Sequence, residues 1–328
     1  MARGHQHLPK KAEAVVLKKG EIFEALARVD ADSEARARIL EMENHFRVKI
    51  AAHLMGLPAK DAKFKRFNTS PFVLMFHARN QGYTAVSQVE KDLIAAKVFS
   101  SMETSAGRMV EEVVLPAYGW EVVSSEMHSA ESVLDGRKEL EGSEFHCVTL
   151  KSGPRCLNDA MAKDIGQDVV THASTWAAAH EAREVHFSYG VLYGTKRQSN
   201  KKDWHVLRNM AEWLPENADI IVSHEGNWQI HYRIADFDVC ATVRIGLDWW
   251  EYLGGQDAWI EVCVALIRAC VDPSRVVREQ APVYKISDLS KILDVSMKPV
   301  DFNVAILQQS QLEWLMFLAA HFCDSLEP

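Results

Sequence analysis

An aspartate and a lysine lie in two short apolar segments whose spacing suits metal-assisted hydrolysis. Asp135 lies within the predicted strand Ser132–Lys138, and Lys151 ends the next predicted strand, Glu144–Lys151. The turn Glu141–Ser143 joins them, so the strands are expected to pair and to hold both side chains at one edge of a sheet. A carboxylate binds Mg²⁺, the ion polarises a phosphate and its water, and a lysine orients that water or stabilises the developing charge. The pair therefore predicts phosphodiester hydrolysis.

The elements around this pair predict a mixed α/β sheet flanked by helices, with helical extensions at both ends. Apolar residues at three- and four-residue steps predict helices in the first hundred residues, and short apolar segments with turns predict strands from about residue 121. The predicted helices are Glu21–Val29, Ser33–Leu54, Val86–Ser100, residues 157–176, Asp203–Trp213, Ile260–Val271 and Gln308–Phe322. The further predicted strands are Glu121–Ser125, Val185–Tyr193, Asp219–Ser223 and Trp228–Ile234.

Changes in this periodicity divide the chain into three predicted parts. Residues 1–100 form a helical N-terminal region, residues 101–240 form the α/β core, and residues 241–328 form a helical C-terminal region. The core contains both Asp135 and Lys151, so the predicted chemistry belongs to this part.

Composition excludes several classes of protein. The 328 residues are 48% hydrophobic and 25% charged, as in an ordinary globular chain, and this excludes disordered, collagen-like and coiled-coil proteins. The 37 basic and 45 acidic residues give a net charge of −8. This charge argues against a protein that coats nucleic acid by bulk charge, so any contact with DNA must use a local basic surface.

The sequence also predicts a cytoplasmic protein without membrane contact. The first residues have no apolar segment typical of a signal peptide, and no stretch approaches the roughly 20 apolar residues of a membrane helix. The six cysteines form no CxxC pair, and none of the 14 histidines pairs with a cysteine at zinc-ligand spacing. Reduced, mostly buried thiols are therefore expected, with neither a disulfide framework nor a zinc site.

Three further segments resemble the PD-(D/E)XK nucleases, in particular type II restriction endonucleases. The segment Thr104–Val114 is similar to the helix that precedes the catalytic strands, with Glu111 or Glu112 facing the site. Lys151-Ser-Gly-Pro154 followed by Asn158 resembles a segment of one restriction-enzyme subgroup, and Tyr193–Trp204 is similar to the polar exit from the next strand. The resemblance covers about a third of the chain. It implies Mg²⁺, with Asp135 and the Leu150 carbonyl among its ligands, and products with 5′-phosphate and 3′-hydroxyl ends.

One position departs from the family pattern. The family places an acid two residues before the lysine, whereas this chain has Thr149, whose neutral hydroxyl is a poorer Mg²⁺ ligand. Either another side chain supplies the second charge, or the metal site is weak, or the site is impaired. The candidate acids are Glu112, Glu126 and Glu131, of which Glu112 is favoured because a helix beside the sheet can direct it at Asp135. Thr149 is a candidate to contact the ion or its water, or a β-branched strand residue alone.

A local basic-polar segment offers contacts to DNA. Lysine and arginine commonly bind phosphates, and asparagine, glutamine and arginine read base edges. The candidates are Lys196, Arg197, Gln198, Asn200, Lys201 and Lys202, together with Arg155 and Asn158 beside the Lys-Ser-Gly-Pro turn. A solvated loop is the competing interpretation of the segment. For Asn158 the competing interpretation is a helix cap, since either Asn158 or Asp159 can cap the helix that follows.

These patterns together predict a Mg²⁺-dependent endonuclease that cuts double-stranded DNA at a specific site. Cleavage of both strands of a short palindrome predicts a two-fold homodimer, with residues 86–100 or the C-terminal helices as the interface. Two alternatives remain open: a structure-specific repair or junction-resolving nuclease, and a DNA-binding protein with a decayed site. By itself, Asp135-Gly136 would be more typical of a hairpin turn.

Overall fold

The structure is a computed structural model, which describes residues 12–57, 70–84, 86–124, 129–140, 143–214, 219–223, 228–234, 236–271 and 289–328. Among these residues, no helix has both the length and the apolar character needed to cross a membrane.

Within the described residues, one mixed sheet of seven strands organises the fold, and this confirms the predicted α/β class. The strand order is β2-β3-β4-β5-β8-β7-β6, with β4, β5 and β8 parallel to one another and antiparallel pairs towards both edges. The strands are β2 Glu121–Val122, β3 Gly136–Leu140, β4 Glu144–Lys151, β5 Glu184–Val191, β6 Asp219–Ser223, β7 Trp228–Ile234 and β8 Phe237–Ile245. A separate parallel pair joins β1 (Val16–Lys18) to β9 (Ser325–Glu327).

Helices cover both faces of this sheet. They are α1 Lys19–Ala31, α2 Ser33–Met55, α3 Pro71–Gln81, α4 Val86–Ala117, α5 Asp159–Ala179, α6 Lys202–Trp213, α7 Leu247–Gly254, α8 Ala258–Cys270, α9 Leu289–Leu293 and α10 Leu312–Ala319. A short 3-10 helix, Gln309–Gln311, precedes α10.

The two faces of the sheet pack against different helices. Val148 and Leu150 of β4 belong to a core shared with α1, α2, the end of α4, α7, α8 and α10. Phe145 and Cys147, at alternate positions of the same strand, belong to a core shared with α5 and α6. Because six of its eight residues are buried, β4 is the continuous apolar strand expected at the centre of a sheet covered on both sides.

The structure differs from the sequence prediction at several places near the site. The strands β2 and β5 end at Val122 and Val191, short of the predicted ends at Ser125 and Tyr193. The predicted strand Ser132–Lys138 is wrong at its start, since residues 129–135 form turns and irregular chain and β3 begins at Gly136. The strand β8 was not predicted at all, although it pairs with β5 along its whole length. It runs across the predicted boundary at residue 240.

Candidate active site

Asp135 lies immediately before β3, yet the sheet holds it in place. Its backbone N–H donates to the Val148 carbonyl over 2.8 Å, and its carbonyl accepts from the Val123 N–H over 3.1 Å. The carboxylate is fixed as well, because its Oδ2 accepts a 2.6 Å hydrogen bond from the backbone N–H of Leu150. Asp135 is therefore positioned as if it were part of the strand. One carboxylate oxygen is bound to a backbone N–H, and the other makes no hydrogen bond to the residues that the structure describes.

Gly136 allows this strand to approach α4 closely. A Cβ atom at this position would lie 2.7 Å from Leu115 Cδ1 and 3.2 Å from Val148 Cγ1. The glycine is buried, so the dipeptide Asp135-Gly136 is explained by close packing of a strand against a helix, not by a hairpin turn.

We expect Gly136→Ala to lower the free energy of unfolding by about 1–3 kcal/mol, because the added methyl overfills this contact. Urea denaturation measures the change. Gly20→Ala is the matched control: no atom lies within 4 Å of a Cβ there, and alanine improves helix propensity by up to about 1 kcal/mol. Equal stability of Gly136→Ala and the wild type would contradict the packing assigned to Gly136.

Lys151 is placed by β4 and by the tight turn that follows. Lys151 lies opposite Val191 in the parallel register of β4 and β5, and its backbone carbonyl accepts a 3.0 Å hydrogen bond from the Leu192 N–H. A Cβ at Gly153 would lie 2.6 Å from the hydroxyl oxygen of Tyr193, so the glycine lets the turn pack closely against that ring. The Lys-Ser-Gly-Pro sequence thus ends β4 in a fixed direction.

The long helix α4 crosses the end of β4 and brings a second acid to Asp135. A Cβ at Gly107 would lie 3.4 Å from Ser152 Cβ, so the helix passes close to the residue after Lys151. Glu111 follows one helical turn later, on the same face. Its charge interacts with those of Asp135 and Lys151. Two carboxyls and one ammonium therefore share the end of β4.

Burial perturbs both acids of this group, and the charge of Asp135 also acts on Glu111. Burial and, to a smaller extent, the Asp135 charge raise the pKa of Glu111 to about 7, against the lowering effects of Lys151 and Arg108. Burial also raises the pKa of Asp135, against the lowering effects of the Leu150 amide and of Lys151. Perturbed acids that face one another are typical of functional sites.

The structure corrects the assignment of Glu112 as the second acid. Its carboxylate forms an ion pair with Lys49 and accepts a 2.8 Å hydrogen bond from Arg108 Nε, and these contacts lower its pKa. Successive residues of a helix point about 100° apart, so two adjacent glutamates cannot both face Asp135. Glu111 is the one that does.

The other candidates for the missing acid lie elsewhere. Glu131 forms a 2.7 Å ion pair with Arg137, and Glu126 lies outside the described residues. Thr149 is buried and donates its hydroxyl to the Val133 carbonyl. It therefore acts as a strand residue that fixes the chain just before Asp135, and contact with an ion or its water stays a prediction.

The oxygen donors of Asp135 and Glu111 fit a hard divalent cation such as Mg²⁺. Both acids are half-buried and the Asp135 charge disfavours the ionised form of Glu111, and a bound cation would compensate that charge. A ligand role of the Leu150 carbonyl remains a prediction.

Some of the predicted DNA-binding residues have polar partners within the chain, and others are exposed to solvent. Lys196 pairs with Asp248 at 3.3 Å and Lys202 pairs with Asp159, so both have acidic partners within the chain. The side chain of Asn158 caps α5 by accepting from the Met161 N–H over 2.9 Å. That finding confirms the helix cap.

The remaining predicted DNA-binding residues form an exposed surface after β5. Arg197, Asn200 and Lys201 are exposed, and the exposed Arg155 donates from Nε to the Gln198 carbonyl over 3.1 Å. The Gln198 side chain accepts from the Thr195 N–H over 3.1 Å and thereby holds the loop. Arg155, Arg197 and Lys201 are therefore the basic members best placed to meet a ligand.

Sequence reasoning offered Glu111 as an alternative to Glu112 but did not choose it, although its four-residue separation from Gly107 was a usable signal. It missed a group of three possible ligands, Glu144, His146 and His186, on neighbouring strands. Its two histidines are 40 residues apart, and no local spacing joins them.

No protein-family model matches the chain, and the search of curated proteins finds no significantly similar sequence. What the chain does must therefore be inferred from its fold and from the side chains at the end of β4.

Proposed function

We propose that the protein is a Mg²⁺-dependent endonuclease that cuts double-stranded DNA at specific sites. The observation that carries this proposal is the shared position of Glu111, Asp135 and Lys151 at one end of β4, where two half-buried acids interact with one lysine. Two carboxylates and an amine at the end of a mixed sheet supply the groups that metal-assisted phosphodiester hydrolysis uses.

Asp135 and Glu111 would hold the ion, which when bound polarises the scissile phosphate and lowers the pKa of the attacking water. Asp135 offers the carboxylate oxygen that Leu150 does not occupy, and Glu111 becomes a ligand when it loses its proton. The Lys151 ammonium donates to the attacking water or to a phosphate oxygen, where negative charge develops. Attack by the water opposite the 3′ oxygen would form the new P–O bond and break the P–O3′ bond. The water would lose its proton to solvent and the 3′ oxygen would take one from solvent, which gives a 5′-phosphate and a 3′-hydroxyl.

The exposed basic residues beside this site would hold the DNA backbone. Arg155 follows the Lys151 turn directly, and Arg197 and Lys201 lie on the loop that Arg155 contacts. Arginine and lysine at such positions bind phosphates and fix the register of the duplex, while Asn200 is suited to base edges.

A two-fold homodimer would place one such site on each DNA strand, and α3 offers the surface for it. None of the residues of α3 is buried, and Phe72 and Phe76 are 73% and 74% exposed on one face of the helix. Asp92 ties α3 to α4, since it accepts from the Tyr83 hydroxyl over 2.7 Å and lies 2.9 Å from His77 Nε2. An exposed apolar face on an anchored helix is typical of an interaction surface.

We expect Phe72→Asp/Phe76→Asp to convert a dimer into a monomer, because charges would replace the apolar centre of the interface. Size-exclusion chromatography with light scattering measures the mass. Leu40→Asp, at an exposed position of α2, is the control and should stay dimeric. A dimer that survives the double substitution would place the interface elsewhere.

Digestion of a plasmid tests the proposed function. Incubation with Mg²⁺ should give discrete fragments that map to one repeated sequence, and EDTA should prevent cutting. Cleavage of branched substrates without a fixed pattern on linear duplex would favour the structure-specific nuclease. DNA binding without any cutting in Mg²⁺ or Mn²⁺ would favour the decayed site, an alternative supported by Thr149 at the position of the usual acid.

A further inference from the structure

A second group of potential metal ligands lies at the opposite end of β4 from Lys151. Glu144 and His146 occupy alternate residues of β4, and His186 of β5 lies directly opposite His146 in the parallel register. One ligand atom from each side chain lies within 4.8 Å of the others. At about 3.3 Å per residue, His146 lies about 16 Å along the strand from Lys151. The group is therefore separate from the candidate active site.

The distances in this group suit one small cation. Glu144 Oε2 lies 3.3 Å from His146 Nε2 and 4.0 Å from His186 Nε2. A tetrahedral ion with ligands about 2.0–2.2 Å away keeps its ligand atoms about 3.4 Å from one another. Small rotations of the side chains would therefore close the three around one ion.

The ligand types favour a transition metal over Mg²⁺. Two imidazole nitrogens and one carboxylate oxygen are a set that binds Zn²⁺, and imidazole also suits Ni²⁺ and Cu²⁺. Mg²⁺ prefers oxygen ligands and retains several waters. The group of Glu144 and the two histidines would therefore select a different ion from the one that Asp135 and Glu111 would hold.

Neighbouring side chains hold His146 in an orientation that suits metal binding. The Tyr252 hydroxyl lies 2.6 Å from His146 Nδ1, and the Arg244 guanidinium lies 4.0 Å from the centre of the Tyr252 ring. When Nδ1 donates to the hydroxyl oxygen, Nε2 keeps a free lone pair towards Glu144. A hydrogen bond to the second ring nitrogen is typical of metal-binding histidines.

One ring nitrogen of the second histidine lacks a hydrogen bond. Among the described residues, His186 Nε2 is buried and makes no hydrogen bond, and Glu184 Oε1 lies 3.2 Å away without hydrogen-bond geometry. The His186 ring stacks on that of His146, with centroids 4.4 Å apart. A bound cation would supply the partner that this nitrogen lacks.

We propose that Glu144, His146 and His186 form a binding site for a divalent transition-metal ion, with Zn²⁺ as the best match. The ion would link β4 to β5 at the end of the sheet opposite the acids. This inference stands independently of the proposed nuclease function, because it uses other residues and another ion.

Titration of the EDTA-treated full-length protein with Zn²⁺ by calorimetry tests the site. The wild type should bind one ion per chain, and Co²⁺ in its place should give the visible absorption of a tetrahedral complex. Glu144→Gln and His186→Ala should each weaken Zn²⁺ binding at least tenfold. His231→Ala, a half-exposed histidine on β7, and Asp135→Asn are the controls and should bind as the wild type does.

The proposal is overturned if the wild type binds no stoichiometric Zn²⁺, or if both Glu144→Gln and His186→Ala keep full affinity. Loss of binding in Asp135→Asn with retention in His186→Ala would also overturn it, because the ion would then belong to the acids near Lys151. Glu144→Gln conserves shape at a half-exposed side chain, so its fold should be preserved, and circular dichroism checks this.

Discussion

Glutamine in place of Glu111 is expected to abolish most DNA cleavage and, at the same time, to stabilise the protein. Cleavage should fall at least about 100-fold, because one of the two acids proposed to hold the ion is lost. The free energy of unfolding at pH 8 should rise by up to roughly 3 kcal/mol, because burial and Asp135 oppose the charge of Glu111. Opposite changes in activity and stability are typical of a functional acid.

The sign of this effect follows from the two protonation states. The pKa of Glu111 is about 7 in the folded protein and near 4.5 when unfolded, so between these values the folded state binds more protons. Its contribution to stability is therefore present below about pH 4.5 and is lost as the pH rises to about 7. We expect the stability difference between wild type and Glu111→Gln to appear over this range. Denaturation at several pH values without divalent ions measures it.

Glu112→Gln is the matched control on the same helix. Because Lys49 and Arg108 stabilise the Glu112 carboxylate, this change should lower the free energy of unfolding at pH 8, by no more than about 1 kcal/mol for such exposed pairs. It should leave the rate of cleavage nearly unchanged. Equal loss of cleavage in Glu111→Gln and Glu112→Gln would contradict the assignment of Glu111, and not Glu112, as the acid that holds the ion.

Asp135→Asn and Lys151→Ala are each expected to lower cleavage at least about 1,000-fold, about 4 kcal/mol in activation free energy, while DNA binding in Ca²⁺ is retained. Asparagine keeps an oxygen for the Leu150 N–H but removes the charge that would hold the ion. Alanine at position 151 removes the amine that would serve the attacking water. Timed plasmid digests measure cleavage, and gel retardation measures binding.

Lys138→Ala provides the control for the lysine. This residue lies on β3, the neighbouring strand, and its ammonium donates to the Tyr118 carbonyl over 3.0 Å. Its removal should leave cleavage within a few-fold of the wild type. Undiminished cutting by either Lys151→Ala or Asp135→Asn would contradict the proposed mechanism, because that mechanism needs both residues.

The centre of the fold could be predicted because its signals are local. The strand β4 was predicted with its observed bounds, since a continuous apolar segment follows a turn and ends at a lysine. A cap of α5 at Asn158 or Asp159 was also predicted, because such residues before an apolar periodic segment are a local signal, and the structure has Asn158 as the cap. In both cases the deciding contacts lie within a few residues.

The elements that were missed depend on contacts between distant segments. Glu111 and Glu112 are indistinguishable in sequence, and the passage of α4 over Ser152 decides which of them faces Asp135. The strand β8 alternates apolar and polar residues, but its place beside β5 follows from pairing 54 residues along the chain, as between Glu184 and Asp238. The stacked histidines of β4 and β5 likewise meet through strand register alone.

Anomalous diffraction from crystals soaked in Mn²⁺, which replaces Mg²⁺ at oxygen sites, tests the central claim most directly. We predict a manganese peak within about 2.5 Å of carboxylate oxygens of both Asp135 and Glu111, beside Lys151. A peak bound by Glu112 instead, or soaked crystals with no manganese at Asp135, would contradict the account.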